Sequence, residues 1–229
     1  AIVPDSFYCG DAAGQVRCSA SQPRPVRGPV PVAWTREEDE LVWQCAEMRH
    51  GRLETARLLQ HWRHNEFSNF RPFFCQIEAV ETLIWLTEVA PMLGPNGKSF
   101  LDHLANANGA VNPDLVRIAL KLATGAGKTT VMAMIIAWQT INAVRRPNST
   151  RFARGLLIIT PGISIRDRLR VLHPNDPDSY CASREPVPTD MLGDLDRAKI
   201  VITNYHAFRL RETMDVSRGG RALLEGRTG

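Results

Sequence analysis

The chain has 229 residues and lacks the features that would send it into or across a membrane. It contains no run of about 18 uncharged apolar residues, the minimum for a membrane-spanning helix. Its most apolar stretch, Val131 to Ile141, is short and is interrupted by Gln139 and Thr140. The N-terminus has no basic start followed by an apolar segment. We therefore expect neither a secretory signal peptide nor a membrane partner.

Cysteine is scarce and irregularly spaced, at positions 9, 18, 45, 75 and 181. Because the number is odd and no Cys-x-x-Cys pair occurs, both a zinc site and a disulfide framework are disfavoured. Cys9 and Cys18 could be two ligands of an incomplete site, but reduced, unpaired thiols are the simpler interpretation. Reduced thiols indicate a reducing compartment, most simply the cytoplasm.

Lysine is also scarce, since only Lys98, Lys121, Lys128 and Lys199 occur among 28 basic residues. We attribute this excess of arginine to genome composition. The formal net charge of +4 permits contact with a phosphate backbone without requiring it. Apolar residues make up 44% of the chain, which is enough for a packed core.

Residues 1–65 are predicted to form an N-terminal region of an irregular arm followed by helices. Residues 1–34 are rich in proline and glycine and show no periodicity, which indicates a loop. Thr35 and Glu38 form a capping box, so a helix is expected to begin there and to end at Gly51.

A second helix is predicted from Leu53 to about Arg63 on the spacing of its apolar residues. His61 and His64 lie one turn apart beside Trp62. No carboxylate or cysteine falls at a helpful helical offset, so we expect surface histidines rather than a metal site.

Residues 66–229 are predicted to form an α/β domain. An amphipathic helix is expected from Cys75 to Ala90, and the proline, asparagine and glycine of Pro91 to Asn112 indicate a loop with at most a short helix. Strands and helices then alternate, which is typical of a parallel sheet. The predicted strands are Ile118–Leu122, Leu156–Thr160 and Ile200–Thr203, and the predicted helices are Lys128–Val144, Ile163–Leu172 and Met191–Leu195.

The segment Leu122-Ala123-Thr124-Gly125-Ala126-Gly127-Lys128-Thr129-Thr130 follows a predicted strand and opens a predicted helix, the context that favours a phosphate-binding loop. Gly125 and Gly127 allow a tight turn whose N–H groups approach phosphate oxygens, at the positive end of the helix dipole. A glycine turn before a helix is common in α/β proteins, but it does not explain a lysine followed by two threonines. The expected ligands are ATP and Mg²⁺. The predicted nucleotide-binding residues in this loop are Thr124, Gly125, Ala126, Gly127, Lys128, Thr129 and Thr130.

Two residues of this loop are predicted to act in catalysis. Lys128 would neutralise charge on the β and γ phosphates, and the Thr129 hydroxyl would ligate the Mg²⁺ that accompanies ATP. The general pattern of such loops has glycine five positions before Gly127, where this chain has Leu122. The variant T-G-x-G-K-T is typical of superfamily 2 helicases, and the chain resembles that superfamily from this point on.

Gln76, behind Phe73 and Phe74, resembles the glutamine that reads the adenine edge in these helicases. A side-chain amide can both donate to and accept from adenine. Alternatively, Gln76 is an ordinary glutamine on a helix surface. Cys75 stands where a tyrosine is usual, so a stacking ring would have to come from Phe73 or Phe74.

The sequence L-L-I-I-T-P-G, residues 156–162, resembles motif Ia, a strand and turn that touch the nucleic-acid backbone. The resemblance implies contacts from Thr160, Pro161 and Gly162. Arg166 shares a helix face with Arg170, so a phosphate contact is reasonable, although a solvated basic face is an alternative.

The sequence I-V-I-T-N-Y-H-A-F, residues 200–208, is similar to the strand and loop that precede the catalytic carboxylates of the superfamily. The resemblance implies that Thr203, Asn204 and His206 contact a nucleic-acid backbone. Alternatively, Asn204 and His206 are ordinary turn formers at the end of a strand.

Together, these segments resemble most closely the restriction (Res) subunit of type III restriction enzymes and related DEAD/DEAH-box-like proteins, over Phe67 to Arg211. The resemblance implies a RecA-like P-loop NTPase domain with a central parallel sheet, preceded by a mainly helical region. It also implies ATP hydrolysis coupled to helicase or translocase activity on DNA, most simply duplex DNA. A methyltransferase and specificity subunit and a nuclease domain are further expectations.

Such a motor needs an Asp-Glu pair at the end of a strand, and the only such dipeptide here is Asp39-Glu40, far upstream. No second RecA-like domain is present either. We therefore expect an N-terminal fragment of a larger protein that hydrolyses ATP poorly by itself. The alternatives are a P-loop enzyme that phosphorylates a small molecule, with Arg145 to Arg154 as its acceptor loop, and a nucleotide-binding module without catalysis.

Overall fold

The computed structural model describes residues 53–208 and, upstream, only the strands β1 (Tyr8–Cys9) and β2 (Val16–Arg17), which pair antiparallel. The helix predicted to begin at Thr35 lies outside the described residues. So do Cys18 and Cys45 and the last residues of the helicase resemblance, 209–211.

Helices make up most of the described chain, and a parallel pair of strands completes it. The strands are β3 (Gly155–Thr160) and β4 (Lys199–Asn204), with Gly155 opposite Lys199 and Thr160 opposite Asn204. The helices are α1 (Leu53–His64), α2 (Phe74–Ile84), α3 (Gly94–Val111), α4 (Lys128–Arg145), α5 (Ile163–Arg168), α6 (Tyr180–Ser183) and α7 (Leu192–Leu195). This mixture of helices with a parallel sheet confirms the α/β class.

Several short helical turns extend or join these elements. A π-helical turn, Trp85–Val89, and a 3₁₀ turn, Ala90–Met92, continue α2 to about the predicted end of its helix. Further 3₁₀ turns lie at Leu169–Leu172, Thr189–Met191 and Tyr205–Phe208.

The strand predicted at Ile118–Leu122 is not formed. Within the described chain this segment has only isolated bridge residues, Ala119 and Leu120. Leu120 and Leu122 are nevertheless buried in the core. The apolar pattern therefore predicted correctly that this segment is buried. It could not predict strand pairing, because pairing depends on segments that are distant in the sequence.

The loop predicted between Pro91 and Asn112 is wrong, because this segment contains the 18-residue helix α3. Pro95 lies in the first turn, where a missing N–H costs no helical hydrogen bond. Gly97 is buried against the preceding 3₁₀ turn, and a Cβ there would lie 1.9 Å from the Ala90 carbonyl oxygen. Phe100 and Leu104 pack on the core. Tertiary packing thus stabilises a helix whose composition disfavours it.

The core lies between α1, α2 and α4. Leu58, Trp62 and Ile141 are fully buried within it, and the Trp62 indole Nε1 donates to the Pro186 carbonyl at 2.8 Å. Helix α1, assigned above to the N-terminal region, therefore packs into the same core as the helices that follow it. The domain boundary at residue 65 stays a prediction.

Ion pairs join α1 and α4 to the segment around α7. Arg57 contacts Asp190 at 2.8 Å, and Arg145 contacts Asp194 at 2.6 Å. The hydrogen bond to Asp194 raises the pKa of Arg145, and the hydrogen bond from Arg57 lowers the pKa of Asp190. The Arg145–Asp194 pair is partly buried, whereas the Arg57–Asp190 pair is exposed and contributes little free energy.

None of the helices between residues 53 and 208 combines the length and hydropathy that a membrane span requires. Within the same residues, no group of three or more histidine, cysteine and acidic side chains is placed to hold a metal ion. His61 is half-buried instead of lying on the surface as predicted, and its Nε2 donates to the Glu185 carbonyl at 2.8 Å.

Candidate phosphate-binding site

The predicted phosphate loop makes a tight turn between the buried Leu122 and the start of α4. Gly125 has φ +83° and Gly127 has φ +75°, both in the left-handed region that favours glycine. The Ala126 N–H donates to the Ala123 carbonyl at 3.2 Å and closes the turn. The two glycines therefore fix the path of the backbone, as the sequence predicts.

The surroundings of the two glycines differ. A Cβ on Gly127 would lie 2.1 Å from Nε2 of Gln76, whereas a Cβ on Gly125 would meet open space. Gly127 is thus required by both its conformation and its neighbour. At Gly125 the loop is open to solvent, and an anion can approach the backbone there.

Helix α4 begins at Lys128, directly after the loop, with Gly127 as its N-cap residue. Among the described residues, no side chain caps this helix end. Over its 18 residues, α4 buries Val131, Met134 and Ile141 in the core, which fixes the direction of its axis. A long, immobilised helix places first-turn amides and a positive dipole end at the loop, which together favour a bound anion.

Gln76 connects the phosphate loop to the N-terminus of α2. Its Oε1 accepts from the Phe73 N–H at 3.0 Å, and its Nε2 donates to the Ala126 carbonyl at 2.7 Å. The side chain is 4% exposed, so the alternative of an ordinary surface glutamine is wrong. One amide hydrogen and one lone pair remain after these bonds, so contact with adenine stays a prediction.

Phe73 and Phe74 lie at the same end of α2 and are 61% and 67% exposed. Because Phe73 is bonded to Gln76 through its backbone, these rings lie next to the glutamine that holds the loop. An exposed ring here can stack on a nucleotide base.

The predicted nucleic-acid residues lie at the carboxyl ends of β3 and β4. Thr160 is buried, and its hydroxyl donates to the Gly162 carbonyl at 3.0 Å and lies 3.3 Å from the Thr203 carbonyl. The structure thus brings Thr160, Gly162 and Thr203 together, with the Thr160 hydroxyl closing the turn. Pro161 is exposed at the tip of this turn.

Asn204 and His206 lie one strand away from that turn. Asn204 Oδ1 accepts from the Ala207 N–H at 3.2 Å, so this side chain forms the turn after β4, as the alternative interpretation has it. His206 is exposed, and its ring lies 3.9 Å from the ring of Tyr205. A nucleic-acid contact from either side chain stays a prediction.

Arg166 and Arg170, on the helical segment after β3, each form an ion pair with an aspartate. Arg166 contacts Asp167 at 2.7 Å, and Arg170 contacts Asp178 at 2.5 Å. All four side chains are at least 43% exposed. The pairs are therefore weak, and a phosphate could displace either carboxylate.

The turn Leu169–Leu172 packs against both α4 and β4. Leu169 and Leu172 are buried in this contact. The helix that begins at the phosphate loop and the strand that carries Thr203 are thus joined through one apolar turn. Sequence reasoning did not identify this link, and it also missed the Ala126 carbonyl as the anchor of Gln76, because backbone acceptors leave no signal in the sequence.

Comparison with known proteins adds no further guide to this site. The chain matches no family model, no curated protein and no solved structure. The functional interpretation therefore depends on the loop geometry, on the Gln76 tether and on the sequence motifs.

Proposed function

We propose that the chain binds ATP at residues 124–130 and is the ATP-binding part of a DNA helicase or translocase, of the kind found in the Res subunit of type III restriction systems. The observation that carries the proposal is the phosphate loop. Gly125 and Gly127 adopt left-handed conformations immediately before a long, buried helix that begins at Lys128. This arrangement favours polyphosphate over other ligands.

In this proposal the loop backbone surrounds the β and γ phosphates, and the Lys128 ammonium group neutralises their charge. Mg²⁺ bound with ATP would be held by the Thr129 hydroxyl and phosphate oxygens, and it would supply further charge neutralisation. The Gln76 side chain holds the loop through its hydrogen bond to the Ala126 carbonyl. The base would lie near Phe73.

Coupling to nucleic acid is the second part of the proposal. The turns after β3 and β4 carry Thr160 to Gly162 and Thr203 to His206, and the turn Leu169–Leu172 joins this region to α4. A RecA-like domain, a cytoplasmic location, a methyltransferase and specificity partner, and action on duplex DNA are parts of the same proposal.

The ion pairs of Arg145 and Arg146 argue against a small-molecule kinase. The acceptor loop of such an enzyme was predicted at Arg145 to Arg154. However, Arg145 is held by Asp194 at 2.6 Å and Arg146 by Glu54 at 2.8 Å. Both guanidinium groups therefore pair with acids of the fold, which leaves the exposed Arg151 and Arg154 as the remaining arginines of that loop and weakens the kinase alternative.

ATP binding by the 229-residue chain in Mg²⁺ buffer is the first test. We expect Lys128→Ala to weaken binding by about tenfold or more, because a hydrogen bond to a charged group is lost. Lys121→Ala removes the same charge just outside the loop and should leave the affinity close to that of the wild type. Equal affinities for the wild type and Lys128→Ala would refute the phosphate site.

The motor is tested by ATP hydrolysis with and without duplex DNA, in the chain and in any longer protein that contains it. Stimulation by DNA that disappears with Lys128→Ala is the expected result. Hydrolysis that ignores both DNA and RNA would instead favour an enzyme acting on a small molecule.

A further inference from the structure

The loop between α1 and α2, with the first residue of α2, presents three large rings that the fold leaves exposed. Phe73 and Phe74, beside Gln76, are joined by Phe70, which is 55% exposed. Phe67, at the start of the same loop, packs on the His61 ring instead, with centroids 5.3 Å apart. Clustered exposed apolar side chains of this kind mark surfaces that bind another molecule.

The backbone of this loop is held in place although its rings are exposed. The Ser68 N–H donates to Oε1 of Glu185 at 3.1 Å, and the Arg71 guanidinium donates to the Arg63 carbonyl at 2.8 Å. Glu185 itself has φ +47°, an uncommon left-handed conformation for a residue other than glycine. Such conformations cluster at functional sites. A fixed backbone lowers the entropic cost of binding a ligand.

Arg184 lies over the ring of Phe70. Its guanidinium carbon is 3.9 Å from the centroid of that ring and 5.2 Å from the centroid of the Tyr180 ring, so both contacts are cation–π interactions. Between residues 53 and 208, the Arg184 side chain makes no hydrogen bond or ion pair, which leaves the N–H groups at the edge of the guanidinium plane available. Because Phe70 is still 55% exposed with Arg184 on one face, its other face is open.

We propose that Phe70 and Arg184 form a binding site for single-stranded nucleic acid. A base stacks on the open face of Phe70, and the edge of the Arg184 guanidinium donates to the adjoining phosphate. An unpaired strand supplies both a free base face and a phosphate at each nucleotide. A duplex is a poor ligand for this site, because its bases are already stacked on one another.

Net charge contributes little to this site, because acidic side chains accompany the arginines. Glu66 is exposed at the start of the loop, and the Glu185 carboxylate is bonded to the Ser68 N–H. Neither is paired with Arg184 in the described part of the chain. Recognition therefore depends on stacking and on short-range donation to one or two phosphates, which predicts a shallow salt dependence.

This site uses none of the residues assigned above to ATP or to duplex DNA. Those residues lie in the phosphate loop, at Gln76 and Phe73, and on the segments that follow β3 and β4. Strand binding at Phe70 is therefore expected without ATP and also in Lys128→Ala. Either proposal can fail without the other.

Fluorescence anisotropy of a short, labelled single strand tests the site on the 229-residue chain without ATP. Phe70→Leu keeps apolar bulk but removes the ring, so we expect it to weaken strand binding by about fivefold or more. Phe70→Trp keeps a stacking ring and should retain the wild-type affinity. A duplex of the same sequence should bind equally to the wild type and to Phe70→Leu. Because Phe70 is exposed, the melting temperature of both variants should stay that of the wild type.

Arg184→Gln tests the phosphate contact. It should weaken strand binding and reduce the slope of log affinity against log salt by about 0.7, the value for one phosphate of a single strand. Arg197 is exposed and forms no ion pair among the described residues, so Arg197→Gln is a matched control that should change neither quantity. The proposal would be overturned by the absence of strand binding, by equal affinities of Phe70→Leu and the wild type, or by equal losses for Arg184→Gln and Arg197→Gln. Equal affinities with leucine at position 70 would point instead to an apolar contact with a protein.

Discussion

The helices α1, α2 and α4, here called the helical layer, bury their apolar side chains much more completely than the sheet formed by β3 and β4. In the helical layer, Leu58, Trp62 and Ile141 are completely buried. On the sheet, Leu157 and Val201 are 57% and 58% exposed, although their neighbours on the opposite face pack against the core. Parallel sheets are usually covered on both faces, so the described residues complete one face of this sheet and leave the other open.

The predicted phosphate loop belongs to the helical layer, whereas the predicted nucleic-acid residues belong to the sheet. The phosphate loop is continuous with α4 and is bonded to α2 through Gln76, so its geometry is fixed by the helical layer. The predicted nucleic-acid residues lie at the carboxyl ends of β3 and β4, where the buried Thr160 hydroxyl closes one turn, and Arg166 and Asn204 make an exposed ion pair and an exposed hydrogen bond. Because exposed ion pairs contribute little free energy, Arg166 is held less firmly than the loop.

The largest expected effect is on the free energy of unfolding, and it tests directly whether the helical layer is buried more completely than the outer face of the sheet. Trp62→Ala should lower the free energy of unfolding by about 3–5 kcal/mol, because it leaves a large cavity in the core. Leu157→Ala, on the open face of the sheet, should change it by no more than about 0.5 kcal/mol. Urea denaturation of both variants measures the difference. A cost at Leu157 comparable to that at Trp62 would mean that the outer face is covered.

An intermediate effect is expected within the phosphate loop, where the two glycines form a matched pair. Gly127→Ala should destabilise the chain by about 2–4 kcal/mol, because a left-handed alanine adds strain and its Cβ collides with Gln76. Gly125→Ala has the strain alone and should cost about 1–2 kcal/mol. Thermal denaturation gives the stabilities, and ATP titration should show the larger loss for Gly127→Ala. Equal losses of stability for Gly127→Ala and Gly125→Ala would show that the contact between Gln76 and the loop does not stabilise the loop.

The smallest effect concerns pH and the contact between α1 and Glu185. Burial lowers the pKa of His61, and the hydrogen bond to the Glu185 carbonyl opposes that shift only in part. The unfolded chain takes up the proton first, at about pH 6.5. The contribution of His61 to stability is therefore complete above that pH and is lost as the pH falls from there toward the lowered pKa.

His61→Gln keeps an N–H donor for the Glu185 carbonyl and removes this titration. Urea denaturation between pH 5 and 8 should show a smaller decline of stability on acidification for the variant than for the wild type. Parallel curves for the two proteins would show that His61 does not titrate differently on folding.

Local signals predicted much of this structure. The glycine pattern before an apolar segment located the tight turn and α4, and runs of Leu, Ile and Val located β3 and β4 to within one residue. The spacing of Leu53, Leu58 and Leu59 likewise predicted α1. These signals succeeded because turn chemistry and burial patterns lie within a few neighbouring residues.

The features that the sequence did not reveal depend on contacts between distant segments. Composition favoured a loop where α3 forms, because the close packing of Gly97 on Ala90 could not be foreseen. The bonds of Glu88 to Thr55 and Trp138 join three helical segments. The sequence by itself thus determined where α1, α4, β3, β4 and the glycine turn lie. Only the tertiary structure decided which segments pair and which polar groups meet in the core, since those outcomes depend on packing between distant segments.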